Sequence, residues 1–223
     1  MRTSTLVLVI GCLLAGIAVA QRFDNKVRDD FFAGVSGDKQ ALQRAMKTCE
    51  DALKEDSGNS QALVWHGTIL YFESGQAFQN GDSQKGMELY QRGLKEMESA
   101  VAAAPDDIGV RAPRGAVLLT GTRNMPPEMA RPLILKAVAD YEHTIDLEAA
   151  YWSSLDTHSR GELLFGIAEG SSRIGDQEKA TAYFERIGKE LPETVYAKRA
   201  ATWLETKSLP ASQTGCVGCH TEK

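Results

Sequence analysis

Three side chains near the end of this 223-residue chain could do chemistry: Cys216, Cys219 and His220, in the run Gly215-Cys216-Val217-Gly218-Cys219-His220. Cys-x-x-Cys-His is the spacing that attaches a c-type haem. Two thiols three positions apart reach the two vinyl groups of one porphyrin, and the adjacent imidazole then lies under the iron as its proximal ligand. Cys216 and Cys219 are therefore read as the thioether anchors of one covalent haem c, and His220 as its proximal iron ligand. A Cys-x-x-Cys pair also occurs as a dithiol redox couple or as half of a zinc site. Zinc needs ligands brought from elsewhere, and the chain has no second such pair.

The sixth iron position is left open by the sequence. An ordinary small cytochrome c carries its attachment motif early and wraps the haem with the long stretch of chain after it, but only Thr221, Glu222 and Lys223 come after it here. The haem must dock on the rest of the chain, hang on a tail, or be covered by a partner. Candidate ligands are His66, His143, His158, Met46, Met87, Met97, Met125 and Met129. His66 holds a packing position beside Trp65, and His143 stands beside Glu142 and near Asp146 as a solvated helix residue. His158, in the polar run Asp156-Thr157-His158-Ser159, is expected to be the most accessible histidine and is the named candidate. Met46 and Met97 fall on apolar faces and read as core filler.

Haem attachment of this kind takes place outside the cytoplasm, which makes the first residues informative. Arg2 precedes an almost wholly apolar run from Leu6 to Ile17, and Ala18-Val19-Ala20 offers small residues at the two positions a signal peptidase reads. Residues 1–20 are read as a signal peptide, with Gln21 starting a periplasmic or secreted protein. The run is too short for a confident transmembrane helix. Lipidation at Cys12, after Val9-Ile10-Gly11, is the alternative; the apolar run continues eight residues past it, which favours cleavage at Ala20. Losing this segment removes only Arg2 and takes the formal net charge from -5 to -6. A mildly acidic chain without a basic block argues against nucleic acid or an anionic membrane as partner. Cys49 remains as an odd thiol, at helical spacing from Ala45, Ala52 and Leu53, where it reads as a small packed residue.

Residues 21–207 show almost no strand signal. Apolar residues recur at the helical period, and Gly-Asp, Asn-Gly and Pro punctuate them. Helices are expected up to Val35, from Gly37-Asp38 to about Ser57, through Leu63 to Tyr71, and from Gly81-Asp82 to Pro105. Ile108–Thr120 also reads as helical, starting late or kinked because Pro113 lies inside it. Pro126-Pro127 opens the next helix, which Pro132 restarts, and Val195–Leu204 is expected to cap the series. After Pro210 a short tether leads to the motif, so residues 208–223 are treated as a tail.

The clearest repeat comes late. Gly175-Asp176 is followed by Ala180, Phe184 and Ile187, with Pro192 as the stop, after a helix carrying Leu164, Ile167, Ala168 and Ser171. This pattern resembles a tetratricopeptide repeat (TPR), and fainter copies begin at Gly37-Asp38 and Gly81-Asp82. The Gly-Asp pairs stand 44 and then 94 residues apart, the second gap twice 47, against about 34 in the family. The stretches Leu63–Gly67, Val110–Gly115 and Arg160–Gly166 look like those of exported bacterial TPR proteins of unassigned role. The resemblance implies an all-α, TPR-like solenoid of antiparallel helix pairs, and a concave surface for protein partners. It supplies no activity.

No Gly-x-Ser-x-Gly elbow, His-Glu-x-x-His, phosphate loop or dinucleotide fingerprint is present. Acidic pairs such as Asp29-Asp30 and Asp106-Asp107 suit helix starts. An enzyme is not expected, although a peroxidase-type haem activity stays open. Two readings remain. One is an exported scaffold bearing a single covalent haem for electron transfer or redox sensing within a protein assembly. The other is a haem-free interaction module whose terminal pair is a disulfide or a metal-binding tail.

Overall fold

A computed structural model describes residues 23–210. Residues 1–20, read above as a signal peptide, and the Cys216–His220 motif lie outside them, so the architecture bears on the helical region alone. The described residues form nine α-helices, one 3₁₀ turn and no strand. The helices are α1 (Asp24–Val35), α2 (Lys39–Glu55), α3 (Ser60–Gln79), α4 (Ser83–Ala103), α5 (Ile108–Gly121), α6 (Pro127–Leu147), α7 (Thr157–Arg173), α8 (Gln177–Glu190) and α9 (Val195–Thr206).

Local chemistry sets these limits. Asp38, Asn59, Asp82, Asp107, Asp156, Asp176 and Thr194 each stand just before a helix, and each side chain accepts a backbone N–H of the first turn. Gly37, Gly81 and Gly175 have φ of 112°, 81° and 84°, so each reverses the chain in the left-handed region directly before a capping aspartate. The Gly-Asp punctuation is thus a stop for one helix and a start for the next. The α5–α6 turn, residues 122–126, is built differently: no glycine of positive φ, and Pro127 as the first helical residue. That is why the Gly-Asp signal skips from 81 to 175.

Two expectations need correction. Helix α5 begins at Ile108, ahead of Pro113 rather than after it, and α6 runs unbroken across Pro132. The segment before Pro113 is held from both sides. Asp107 caps the Gly109 N–H at 2.7 Å, and Arg111 donates to the Pro105 carbonyl and, at 2.9 Å, to Asp140 on α6. Tertiary anchoring outweighs the hydrogen bond that a proline removes.

Consecutive helices pack as pairs, α1 on α2, α3 on α4, α5 on α6 and α7 on α8, with α9 against α8. The odd-numbered helices also touch one another and run parallel. At their starts Gln61 Nε2 donates to Asp107 at 2.8 Å, and the Tyr196 hydroxyl donates to Glu162 at 2.8 Å. At their ends Arg173 donates to the Leu119 carbonyl at 2.8 Å, and Trp203 Nε1 to Ser172 at 2.9 Å. The stack therefore has two distinct ends. The short-turn end holds residues 36–38, 80–82, 122–126 and 174–176 and the last turn of α9; the long-turn end holds residues 56–59, 104–107, 148–156 and 191–194. One apolar core runs from Phe23 to Trp203.

Where helices cross, side chains are missing by design of the sequence. A Cβ at Gly67 would stand 2.8 Å from the Gly93 carbonyl oxygen, and one at Gly93 would stand 2.7 Å from that of Gly67. Helices α3 and α4 thus touch backbone to backbone. Gly67→Ala is expected to push them apart and lower stability by about 1–3 kcal/mol. Gly188→Ala is the control, since its Cβ meets nothing within 4 Å. Urea unfolding followed by circular dichroism measures both.

Candidate functional site

The described chain ends beside the residues that anchor its exit. Lys207, in the left-handed region at φ 56°, closes α9 by donating its backbone N–H to the Trp203 carbonyl at 2.7 Å. Its ammonium stands 4.7 Å above the Trp203 ring, a cation–π contact. Ser208 bonds to the Thr206 hydroxyl, and Leu209 packs half-buried against the core. The tail is thereby fixed to the short-turn end as far as Leu209. Cys216, Cys219 and His220 come later and lie outside the described residues.

The three scaffold histidines lie elsewhere. His66 on α3 keeps 6% of its side chain exposed and places Nδ1 2.5 Å from Glu96 Oε2, while Arg92 donates to the other Glu96 oxygen at 2.8 Å. Burial pushes the Glu96 carboxyl up, but His66 and Arg92 outweigh it and hold it below its ordinary value. This is an interior pair joining α3 to α4, as the packing reading of His66 implied. His143, near the end of α6, sets Nε2 2.7 Å from Asp106. His158, in the first turn of α7, sets Nδ1 3.1 Å from the Tyr196 hydroxyl. Both are half-buried. His143 and His158 belong to the long-turn end, a helix length from the exit of the tail.

The methionines divide differently. Met97 is 1% exposed and Met46 is half-buried on the core, in line with their reading as packing residues. Met125 is half-buried, with its sulfur 4.0 Å from the Tyr71 hydroxyl. Met87 and Met129 are exposed, at 44% and 48%. These last three all lie toward the short-turn end. Cys49 is fully buried, and burial first, then Glu50 and Glu96, pushes its thiol up to about 12. It is a packed residue with no thiolate chemistry at neutral pH.

Two buried polar networks went unread in the sequence. Asp140, with no exposed side-chain surface, accepts from Arg114 at 2.6 and 2.8 Å and from Arg111 at 2.9 Å. Arg114 also reaches Glu98 on α4 at 3.1 Å, so one guanidinium ties α4, α5 and α6. Near the short-turn end, Glu169 sits 3.5 Å from Arg173 and 3.8 Å from Arg123. Burial dominates there and raises the Glu169 carboxyl above its ordinary value, the two arginines opposing it. Arg111 and Arg114 belong to one of the stretches singled out by resemblance, but their partner Asp140 lies 29 and 26 residues on, respectively, and no spacing rule points to it.

Among the described residues, no group of three or more His, Cys, Asp or Glu could hold a metal ion. No helix there is long and apolar enough to cross a membrane. Comparison with protein-family profiles, curated proteins and solved structures gives no match.

Asp140→Ala leaves two arginines without their buried carboxylate and is expected to cost about 3–5 kcal/mol, read as a fall in the urea midpoint. Glu169 gives a pH signature. Its folded form binds its proton more tightly than the unfolded chain does, so its contribution to stability falls as pH rises above about 4.5, the ordinary glutamate value. Glu169→Gln should therefore gain on the wild type as pH is raised from 4 to 8, measured by paired urea titrations.

Proposed function

We propose that this chain is an exported TPR-like scaffold carrying one covalent c-type haem on its C-terminal tail, acting in electron transfer or redox sensing within a protein assembly. The observation that carries this reading is the Cys216-x-x-Cys219-His220 motif, which begins ten residues beyond Thr206, the end of the last described helix. The donor set suits the group: two thiols for the vinyl positions and one imidazole for the iron. When bound, the haem supplies a one-electron ferric/ferrous couple. Cys216 and Cys219 would hold the ring, and His220 would ligate the iron.

The scaffold half of the proposal draws support from the paired helices and the parallel odd helices, the arrangement by which TPR-like arrays build a continuous surface for protein partners. Helix pairs begin at residues 24, 60, 108 and 157, so the middle pairs are longer than about 34 residues. This agrees with the doubled 47-residue gap in the sequence. Export rests on reading residues 1–20 as a signal peptide, and a periplasmic or secreted location follows from that reading.

The deciding experiment is a haem stain on a denaturing gel, with a pyridine haemochrome spectrum, on full-length protein exported in a host with a cytochrome c maturation system. A stain that survives denaturation supports covalent haem. Its absence from correctly exported protein overturns the electron-transfer reading in favour of a haem-free interaction module with a redox or metal tail. His220→Ala should lose the native haem spectrum. Truncation after Pro210 should remove all haem and leave the helical circular dichroism nearly unchanged.

A further inference from the structure

We propose that the Met87 and Met129 thioethers are the oxidation sites of the helical stack, each taking one oxygen atom from a peroxide and so turning an apolar rim at the short-turn end polar. This does not depend on the haem reading.

A thioether is oxidised when its sulfur attacks one oxygen of hydrogen peroxide. The O–O bond breaks, an S–O bond forms, and sulfur gives up two electrons. The proton on the transferred oxygen passes to the departing hydroxide, which leaves as water. Reaction therefore requires an open sulfur with a free lone pair. Of the six methionines, all but Met1 lie among the described residues, and the fold gives those five unequal access. Met129, in the first turn of α6, and Met87, one turn into α4, keep 48% and 44% of their surface open. Met97 is closed off in the core, where its sulfur accepts from the Thr68 hydroxyl at 3.7 Å. Met125 is half-buried, and its sulfur accepts from the Tyr71 hydroxyl. Met46 is half-buried against the core.

The two open sulfurs share one end of the molecule with other exposed apolar side chains. Val35 closes α1, and Phe78 stands near the end of α3. The Phe78 ring covers Gly86, the residue directly before Met87: a Cβ at Gly86 would stand 2.7 Å from it. Val35, Phe78, Met87 and Met129 thus make the short-turn end the more apolar rim. The remaining large exposed apolar residues, Leu135, Tyr151 and Val195, lie along α6 or toward the long-turn end and carry no sulfur. A sulfoxide replaces a weakly polar sulfur by a strong S–O dipole. Oxidation of Met87 and Met129 therefore changes the character of this rim and of no other surface.

The fold tolerates the change only at these positions. Both side chains stand in solvent, where an added oxygen meets water. Met97 lies at the α3–α4 crossing, its Cγ 3.0 Å from where a Cβ on Gly67 would be. An oxygen added there would be buried without room.

Graded hydrogen peroxide at neutral pH on full-length protein, followed by peptide mass spectrometry, tests this. Met87 and Met129 should gain an oxygen first, with Met97 slower by about tenfold or more because its sulfur is reached only when the core opens. Retention on an octyl column should fall as these two react, with unchanged helical circular dichroism. The double variant Met87→Leu/Met129→Leu keeps an apolar rim without sulfur and should hold its retention through the same treatment. The proposal is overturned if Met46, Met97 or Met125 reacts ahead of either exposed methionine. Loss of helical circular dichroism as Met87 and Met129 oxidise also overturns it, as does a double variant whose retention falls like that of the wild type.

Discussion

The stack depends on helices coming closer than side chains ordinarily allow. Gly67 and Gly93 bring α3 and α4 into backbone contact. Gly115 on α5 and Gly166 on α7 both face the Tyr141 ring from α6, so one aromatic side chain fills the space that two missing ones leave. Gly161 does the same for Tyr196, which links α7 to α9. Large rings set into side-chain-free positions favour one register at each crossing. The capped ends and the buried Arg114–Asp140 pair are arranged around these crossings.

This explains which parts of the fold could be read from residues alone. Helix limits are local, and Asp38, Asp82 and Asp176 announced them through capping chemistry and the adjoining turn glycines. The α5–α6 pair hid because its turn uses Pro126 and Pro127 instead. Pro113 and Pro132 misled for a related reason. A proline penalises a helix locally, while Arg111 and Asp140 hold this one through contacts distant in sequence. The stretches Leu63–Gly67, Val110–Gly115 and Arg160–Gly166 stood out as resemblances before they had a physical meaning. Each contains a glycine that sits at a helix crossing.

The chemistry rests on a different kind of signal. Cys216, Cys219 and His220 suggest haem attachment by spacing alone, and they lie outside the described residues. What spacing cannot give is which scaffold side chains share an end of the stack with the tail. His158 is nearer the motif in sequence than any methionine, yet it lies at the opposite end from the chain's exit. In a structure of antiparallel pairs, sequence distance and spatial end alternate with every turn. Only the direction of each helix resolves it, and that direction is fixed by side-chain bonds such as Arg173 to Leu119 and Trp203 to Ser172.

Helix α9 is the last of the odd helices and has no antiparallel successor among the described residues. In the four pairs before it, each helix dipole is opposed by that of its partner. Among the described residues, α9 is opposed only by α8, which already pairs with α7. Its carbonyl end, equivalent to roughly half a negative charge, lies at Thr206 where the tail departs. Lys207 already places a cation beside it, over the Trp203 ring. The carbonyl end of α9 thus makes the point where the chain leaves the described residues a place that favours positive charge.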